Sequence, residues 1–163
     1  MKTLSVIISL FIMMGCSTSQ VVNKDFNSFY NKYEDDEGVL SFKISKNLAK
    51  MVVHDEDAET ENFIKKMEKV SFFIAEQNTS RYSHVIENYL PGSVYNDLMI
   101  IKDDGSIVVF KMKELKNGHI NEIVMTVLSP ESFVAVSFAG DFTLDDAKKM
   151  TKSVKTDNFN IDL

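Results

Sequence analysis

The sequence predicts an α+β fold: a two-layer sandwich in which helices pack on one mixed sheet that ends in a four-stranded antiparallel meander. Three observations lead there. Helical and strand periodicities alternate through the first half of the chain. The second half consists of four strand-like runs in succession. The separators between those runs are turn sequences, too short for anything but antiparallel pairing. With 163 residues, 44% hydrophobic and 26% charged, and only 6 Gly and 2 Pro, the chain has the composition of one compact domain rather than a disordered segment.

Each element follows from local chemistry. Phe26, Phe29, Tyr30 and Tyr33 recur at i, i+3, i+4 and i+7, one face of a short helix, which the acidic run Glu34–Glu37 and Gly38 terminate. In Val39–Ile44 the residues Val39, Ser41 and Lys43 alternate with Leu40, Phe42 and Ile44, as in a strand. Ser45 is placed to cap a brief helix through Leu48, Met51 and Val52. After the acidic turn His54–Asp57, a helix puts Phe63, Ile64, Met67 and Val70 on one face. Asp57, Glu59 and Glu61 lie near its start and Lys65, Lys66 and Lys69 near its end, the order that the helix dipole favours. Ser71–Ala75 then reads as a short buried strand. Asn78, Thr79 and Ser80 offer caps for a helix with Tyr82, Val85, Ile86 and Tyr89 inward, stopped by Pro91-Gly92.

The four later runs are Val94–Lys102, Ile107–Lys113, Ile120–Leu128 and Phe133–Ala139. Asp103-Asp104-Gly105, Lys116-Asn117-Gly118 and Ser129-Pro130-Glu131 separate them. Gly140-Asp141-Phe142 leads to Thr143, the cap of a last helix with Leu144, Ala147, Met150 and Val154 inward and Asp145 and Asp146 in its first turn.

The first sixteen residues carry an address. Lys2 is a short positive flank, and Leu4–Met14 form an uncharged apolar stretch too short for a permanent membrane helix. Gly15, a small residue, then precedes Cys16, the only cysteine. This has the form of a lipobox, with Met13 where Leu is commoner. The thiol of Cys16 takes a thioether-linked diacylglycerol, and the small residue before it fits the peptidase that cleaves there. The domains expected are a signal peptide (1–15), a lipidated polar tether (16–23) and a single α+β domain (24–163). Acylation consumes the one thiol, so the mature domain holds none for a disulfide, a nucleophile or a metal. Ser17 after the cysteine favours the outer membrane, facing the periplasm, under the enterobacterial sorting rule.

Charge and motifs narrow the function. The net charge is −6, and removal of residues 1–15 leaves 17 basic against 24 acidic residues, a net of −7. Such a surface repels phosphate backbones, so nucleic acid is an unsuitable partner, and membrane attachment must be covalent or apolar. His54, His84 and His119 have no zinc-ligand spacing, and the alternating Asp55, Asp57, Glu59 and Glu61 lack the glycine and terminal Glu of a calcium loop. Neither a Gly-x-Ser-x-Gly elbow nor a phosphate-binding glycine loop is present. No catalytic, metal or cofactor-binding residue is therefore assigned, and no cofactor is expected.

The chain resembles the domain of unknown function (DUF) 4252 family, uncharacterised lipoproteins of Bacteroidota-type bacteria. The resemblance is carried by the box at Cys16, the aromatic helix Phe26–Tyr33, Gly38-Val39 running into Ile44-Ser45-Lys46, Glu122-Ile123 after Asn117-Gly118, and Phe138-Ala139-Gly140-Asp141. It extends over about residues 24–154 and implies an envelope address and this fold. The family has no established activity, so it implies no functional residues.

The meander is the expected contact surface. Ile107, Val109, Lys111 and Lys113 alternate with Val108, Phe110 and Met112, and Ile123, Met125 and Val127 with Ile120, Val124 and Leu128, so both faces are apolar. Either helices or a homodimer cover both faces, or one face binds a protein, peptide or lipid. The candidate binding face is Ile107, Val109, Ile123, Met125 and Val127. The expected function is a non-enzymatic protein-binding or accessory module of the cell envelope, anchored to a membrane by lipid, with its sheet face or an exposed edge strand as the contact and an envelope protein or a second copy as partner. The alternatives are a carrier with an apolar pocket between sheet and helices and, third, an envelope hydrolase.

Overall fold

A computed structural model describes residues 24–52, 58–103 and 105–153. The expected signal peptide and Cys16, the acidic turn with His54, Asp55 and Asp57, Asp104 and Val154 lie outside the described residues.

The elements are α1 (Phe26–Tyr33), β1 (Val39–Ser45), α2 (Lys46–Val52), α3 (Ala58–Lys66), β2 (Met67–Ala75), α4 (Thr79–Glu87), β3 (Asn96–Asp103), β4 (Ser106–Glu114), β5 (Ile120–Leu128), β6 (Phe133–Phe142) and α5 (Leu144–Ser153). The fold is α+β: six strands form one sheet in the order β1-β2-β6-β5-β4-β3, with every neighbouring pair antiparallel. The expectation of a mixed sheet is thereby corrected. The α2–α3 pair leaves the end of β1 and re-enters β2 at the same end of the sheet, which reverses the strand direction.

Strand alternation sorts the core into two clusters. On one face, Phe73 and Ala75 of β2, Val124 of β5 and Phe133 and Ala135 of β6 pack with Phe26, Phe29, Tyr30 and Tyr33 of α1 and Tyr82 and Ile86 of α4. On the other, Val70 and Ile74, Ile123, Met125 and Val127, and Val134 and Val136 pack with Ile64 of α3 and Ala147 of α5. Helices thus join the core on both faces, and the two-layer expectation does not describe the packing. The cause lies in β2, β5 and β6, which are apolar on both faces, so each face has to be covered.

The aromatic stripe predicted for α1 is buried at all four positions, and Asp25, for which no role is read from the sequence, caps the helix by accepting the Ser28 N–H at 2.8 Å. Phe29 is the hub, with ring centroids 4.8 Å from Phe73 and 5.3 Å from Tyr33. One boundary differs. Met67 and Val70, read as the last turn of a helix, belong to β2, which pairs Ser45 with Lys69 and Met67 with Gly140 around a bulge. Ladder bonds to two neighbours outweigh helical spacing there. Gly140, read as lying just past the last strand, is part of β6, and the α3–β2 junction passes so close to it that an added Cβ would sit 2.4 Å from the Lys66 carbonyl oxygen. Thr143 caps α5 as expected, whereas Leu144 points outward, 44% exposed.

Candidate functional site

Four arrangements carry the chemistry of the described domain. The first is the candidate face itself. The β4–β5 register pairs Val108 with Val127, Phe110 with Met125 and Met112 with Ile123, while Ile107 pairs with Leu128 and Val109 with Thr126. Cross-strand partners project to the same side. Ile123, Met125 and Val127 therefore share one face and Ile107 and Val109 the opposite one. The first three are buried in the core; the latter two are half-buried. The five do not form one surface, because the phase between neighbouring strands is set by turn geometry that alternation within each strand does not reveal.

The second is a polar cluster on the α1–α4 face. Tyr95, 1% exposed, donates its hydroxyl to Glu122 at 2.6 Å and accepts the Phe26 N–H at 3.2 Å. The other Glu122 oxygen accepts the Ser137 hydroxyl at 2.5 Å. Burial, then the Glu122 charge and its hydrogen bond, push the Tyr95 phenol far above its ordinary value, so it stays a donor. A serine beside a carboxylate suggests a nucleophile with its base, but Ser137 is 3% exposed and the carboxylate is shared with Tyr95. The geometry is that of a strut. It ties the start of α1, the approach to β3, and strands β5 and β6 into one unit. Sequence reading missed it, although Ser71 and Ser137, which pair across β2 and β6 inside apolar runs, were the available signal.

The third is the junction of α3 and α5. The Asp146 carboxylate accepts the Thr143 N–H at 2.7 Å, the Thr143 hydroxyl at 2.6 Å and the Lys66 ammonium at 2.7 Å. Burial alone would raise its pKa, but the bonds from Lys66 and Thr143 outweigh burial and hold it below the usual carboxylate value. Nearby, His119 Nδ1 lies 2.5 Å from Asp141 across exposed surface, and His84 is exposed. Among the described residues, no three His, Cys, Asp or Glu side chains converge as metal ligands, and no helix is long and apolar enough to cross a membrane.

The fourth is the pair of sheet edges, β1 and β3. The β3 edge is blunted by Asp97, Lys102 and Asp103 and by a bulge between Asp97 and Met99. The β1 edge pairs with β2 in unbroken register and carries Leu40, 48% exposed, and Phe42, 39% exposed, on one face. Phe42 stacks on Phe72 of β2 at 4.6 Å between ring centroids. Lys43, bound to Glu34 at 3.8 Å, is the charge on the strand.

The family model Domain of unknown function (DUF4252) matches residues 33–150. The chain belongs to the DUF4252 family. No curated protein and no solved structure matches it. The matched DUF4252 region runs from the last residue of α1 into α5 and takes in all six strands. It is narrower than the 24–154 expected, since Phe26, Phe29 and Tyr30 fall outside it, as does Cys16. Within the DUF4252 region lie both sheet edges, Glu122, Ser137 and the Asp146 junction.

Proposed function

We propose that this DUF4252 protein is an envelope lipoprotein of Bacteroidota-type bacteria that binds a partner protein through the edge of β1. Its anchor is an acylated Cys16, which holds it on the periplasmic side of the outer membrane. The anchor is supported by the lipobox pattern at Gly15-Cys16. Binding is supported by one observation above the others: Leu40 and Phe42 are exposed together on an edge strand of unbroken register.

An edge strand offers unpaired N–H and C=O groups to an incoming extended segment. Main-chain bonds then give affinity, and alternate side chains give specificity. On β1 the side chains for that purpose are Leu40 and Phe42, two residues apart and on the same face. The sheet interior is unsuited to the same task, because Ile123, Met125 and Val127 already pack with the domain's own helices.

A photo-crosslinking amino acid placed at Phe42 in the producing cell tests the proposal, with Ile100 on the other edge as control. A discrete adduct at position 42 and none at 100 is the expected result. An adduct of twice the chain mass would identify the partner as a second copy. No adduct at 42, or the same smear from both positions, refutes binding at this edge.

A further inference from the structure

The antiparallel registers give the sheet two ends. Ser45, Met67, Asn96, Glu114, Ile120 and Phe142 mark one of them, here called proximal. The chain enters the described domain at this end. Phe26 is bonded to Tyr95, which directly precedes β3, and Tyr95 is bonded to Glu122 near the start of β5. Lys24 stands two residues before Phe26.

The exposed apolar side chains are distributed unevenly between the ends. Among the described residues, Leu48 and Met51 of α2, Val94 before β3, Leu115 in the β4–β5 turn and Leu144 at the start of α5 are large, apolar and exposed, Met51 to 72%. All five belong to segments that leave or enter the sheet at its proximal end. Leu40, Phe42 and Ile100 lie on the edge strands instead. The described residues of the distal turns include none of this kind; they present Asp35, Glu37, Glu76, Asp103 and Glu131, all exposed.

We infer that the proximal end rests against the lipid bilayer, with Leu48, Met51, Leu115 and Leu144 entering the boundary between headgroups and acyl chains. The inference rests on the acylated Cys16 proposed above. Eight peptide steps separate Cys16 from Lys24, a reach of at most about 29 Å. A tether that short holds the proximal end at high effective concentration beside the membrane, where a few apolar contacts suffice to dock it. The driving force is apolar rather than ionic. Exposed Lys50, Lys116 and Lys148 share this end with exposed Glu114, Asp141 and Asp145. The acidic distal end faces water, away from any negative surface potential. This orientation stands the strands on the membrane and leaves the β1 edge open from the side.

The chain contains no tryptophan, so one introduced indole is a clean reporter. Full-length Met51→Trp and Leu115→Trp, with Glu131→Trp as distal control, are purified in acylated form and reconstituted into phosphatidylcholine vesicles with plain or brominated acyl chains. Emission from positions 51 and 115 is expected to shift to shorter wavelength and to be quenched by bromine, with position 131 unaffected. The same result is expected when anionic lipid is added. Solvent-like emission at all three positions, or equal quenching at 131, overturns the orientation. A blue shift at 51 and 115 without bromine quenching assigns the surface to protein contact and overturns it too. Intact mass of the same preparations scores the anchor separately. A product without acyl mass refutes the anchor and this inference together, whereas an acylated product with unquenched 51 and 115 refutes the inference alone.

Discussion

The Tyr95 hydroxyl lies 2.6 Å from a carboxylate oxygen of Glu122, although Tyr95 sits in the approach to an edge strand and Glu122 in a central one. The bond crosses the α1–α4 face beneath the start of α1 and closes the sheet end where the chain enters.

Tyr95→Phe keeps the ring and removes the hydroxyl. It leaves the Phe26 N–H without its acceptor and one Glu122 oxygen without its donor, so a loss of about 1–3 kcal/mol in denaturant unfolding is expected. The pH dependence has a definite sign. In the folded state the phenol is held above its ordinary value of 10.0, so its contribution is complete below pH 10 and declines as the unfolded chain ionises above it. The wild type should lose stability in that alkaline window more steeply than Tyr95→Phe. Parallel slopes would contradict the strut.

Asp146 gives the opposite dependence. Its folded pKa lies below the ordinary 3.8, so its contribution is present above that value and disappears as pH falls through the folded pKa. Asp146→Ala removes a cap and leaves the Lys66 ammonium without its partner, at a cost of about 1–3 kcal/mol near neutral pH. Thermal unfolding at neutral pH and at about pH 2.5 should show the gap between wild type and variant closing in acid.

Gly140→Ala probes the contact between β2 and β6. The new methyl would meet the Lys66 carbonyl oxygen at 2.4 Å, the Phe142 ring at 2.8 Å and the Met67 Cα at 3.0 Å. Two of the three are backbone atoms where α3 passes into β2, and they cannot swing aside. The expected cost is about 1–3 kcal/mol, read from the denaturation midpoint. A midpoint equal to the wild type would mean that the strands separate freely there.

How far the sequence foretells the fold depends on what defines each element. β5 is legible to the residue because Lys116-Asn117-Gly118 and Ser129-Pro130-Glu131 bound it on both sides. The start of β2 is not, because Met67 and Val70 fit a helix face as well as a strand, and only the pairing of Met67 with Gly140 and of Val70 with Ile44 and Phe138 decides between them. The apolar character of both faces of β4 and β5 is plain in the sequence, as is the need to cover both. The phase between them is absent from it, and so alternation alone groups Ile107 and Val109 with Ile123, Met125 and Val127. The edge position of β1, on which the proposed site depends, follows from the crossover that inserts β2 beside β6, a long-range pairing with no local signature.

Exposed and buried aromatics should separate stability from binding. Phe29→Ala opens a hole in a ring cluster where the side chain is fully buried, and should cost about 3–5 kcal/mol. Phe42→Ser loses one stacked contact at the surface, worth about 1 kcal/mol. A crosslinker at Leu40 should lose its adduct in the Phe42→Ser background while the domain stays folded. An undiminished adduct would remove Phe42 from the contact.

The anchor is the claim on which address, orientation and partner access all depend. Its most direct measurement is the mass of the amino-terminal peptide from envelope-purified protein, compared with the membrane partitioning of Cys16→Ser. The account predicts a peptide that begins at Cys16 and carries acyl mass, and a serine variant released by alkaline washing. An unmodified thiol at position 16, or a serine variant retained as firmly as the wild type, would contradict it.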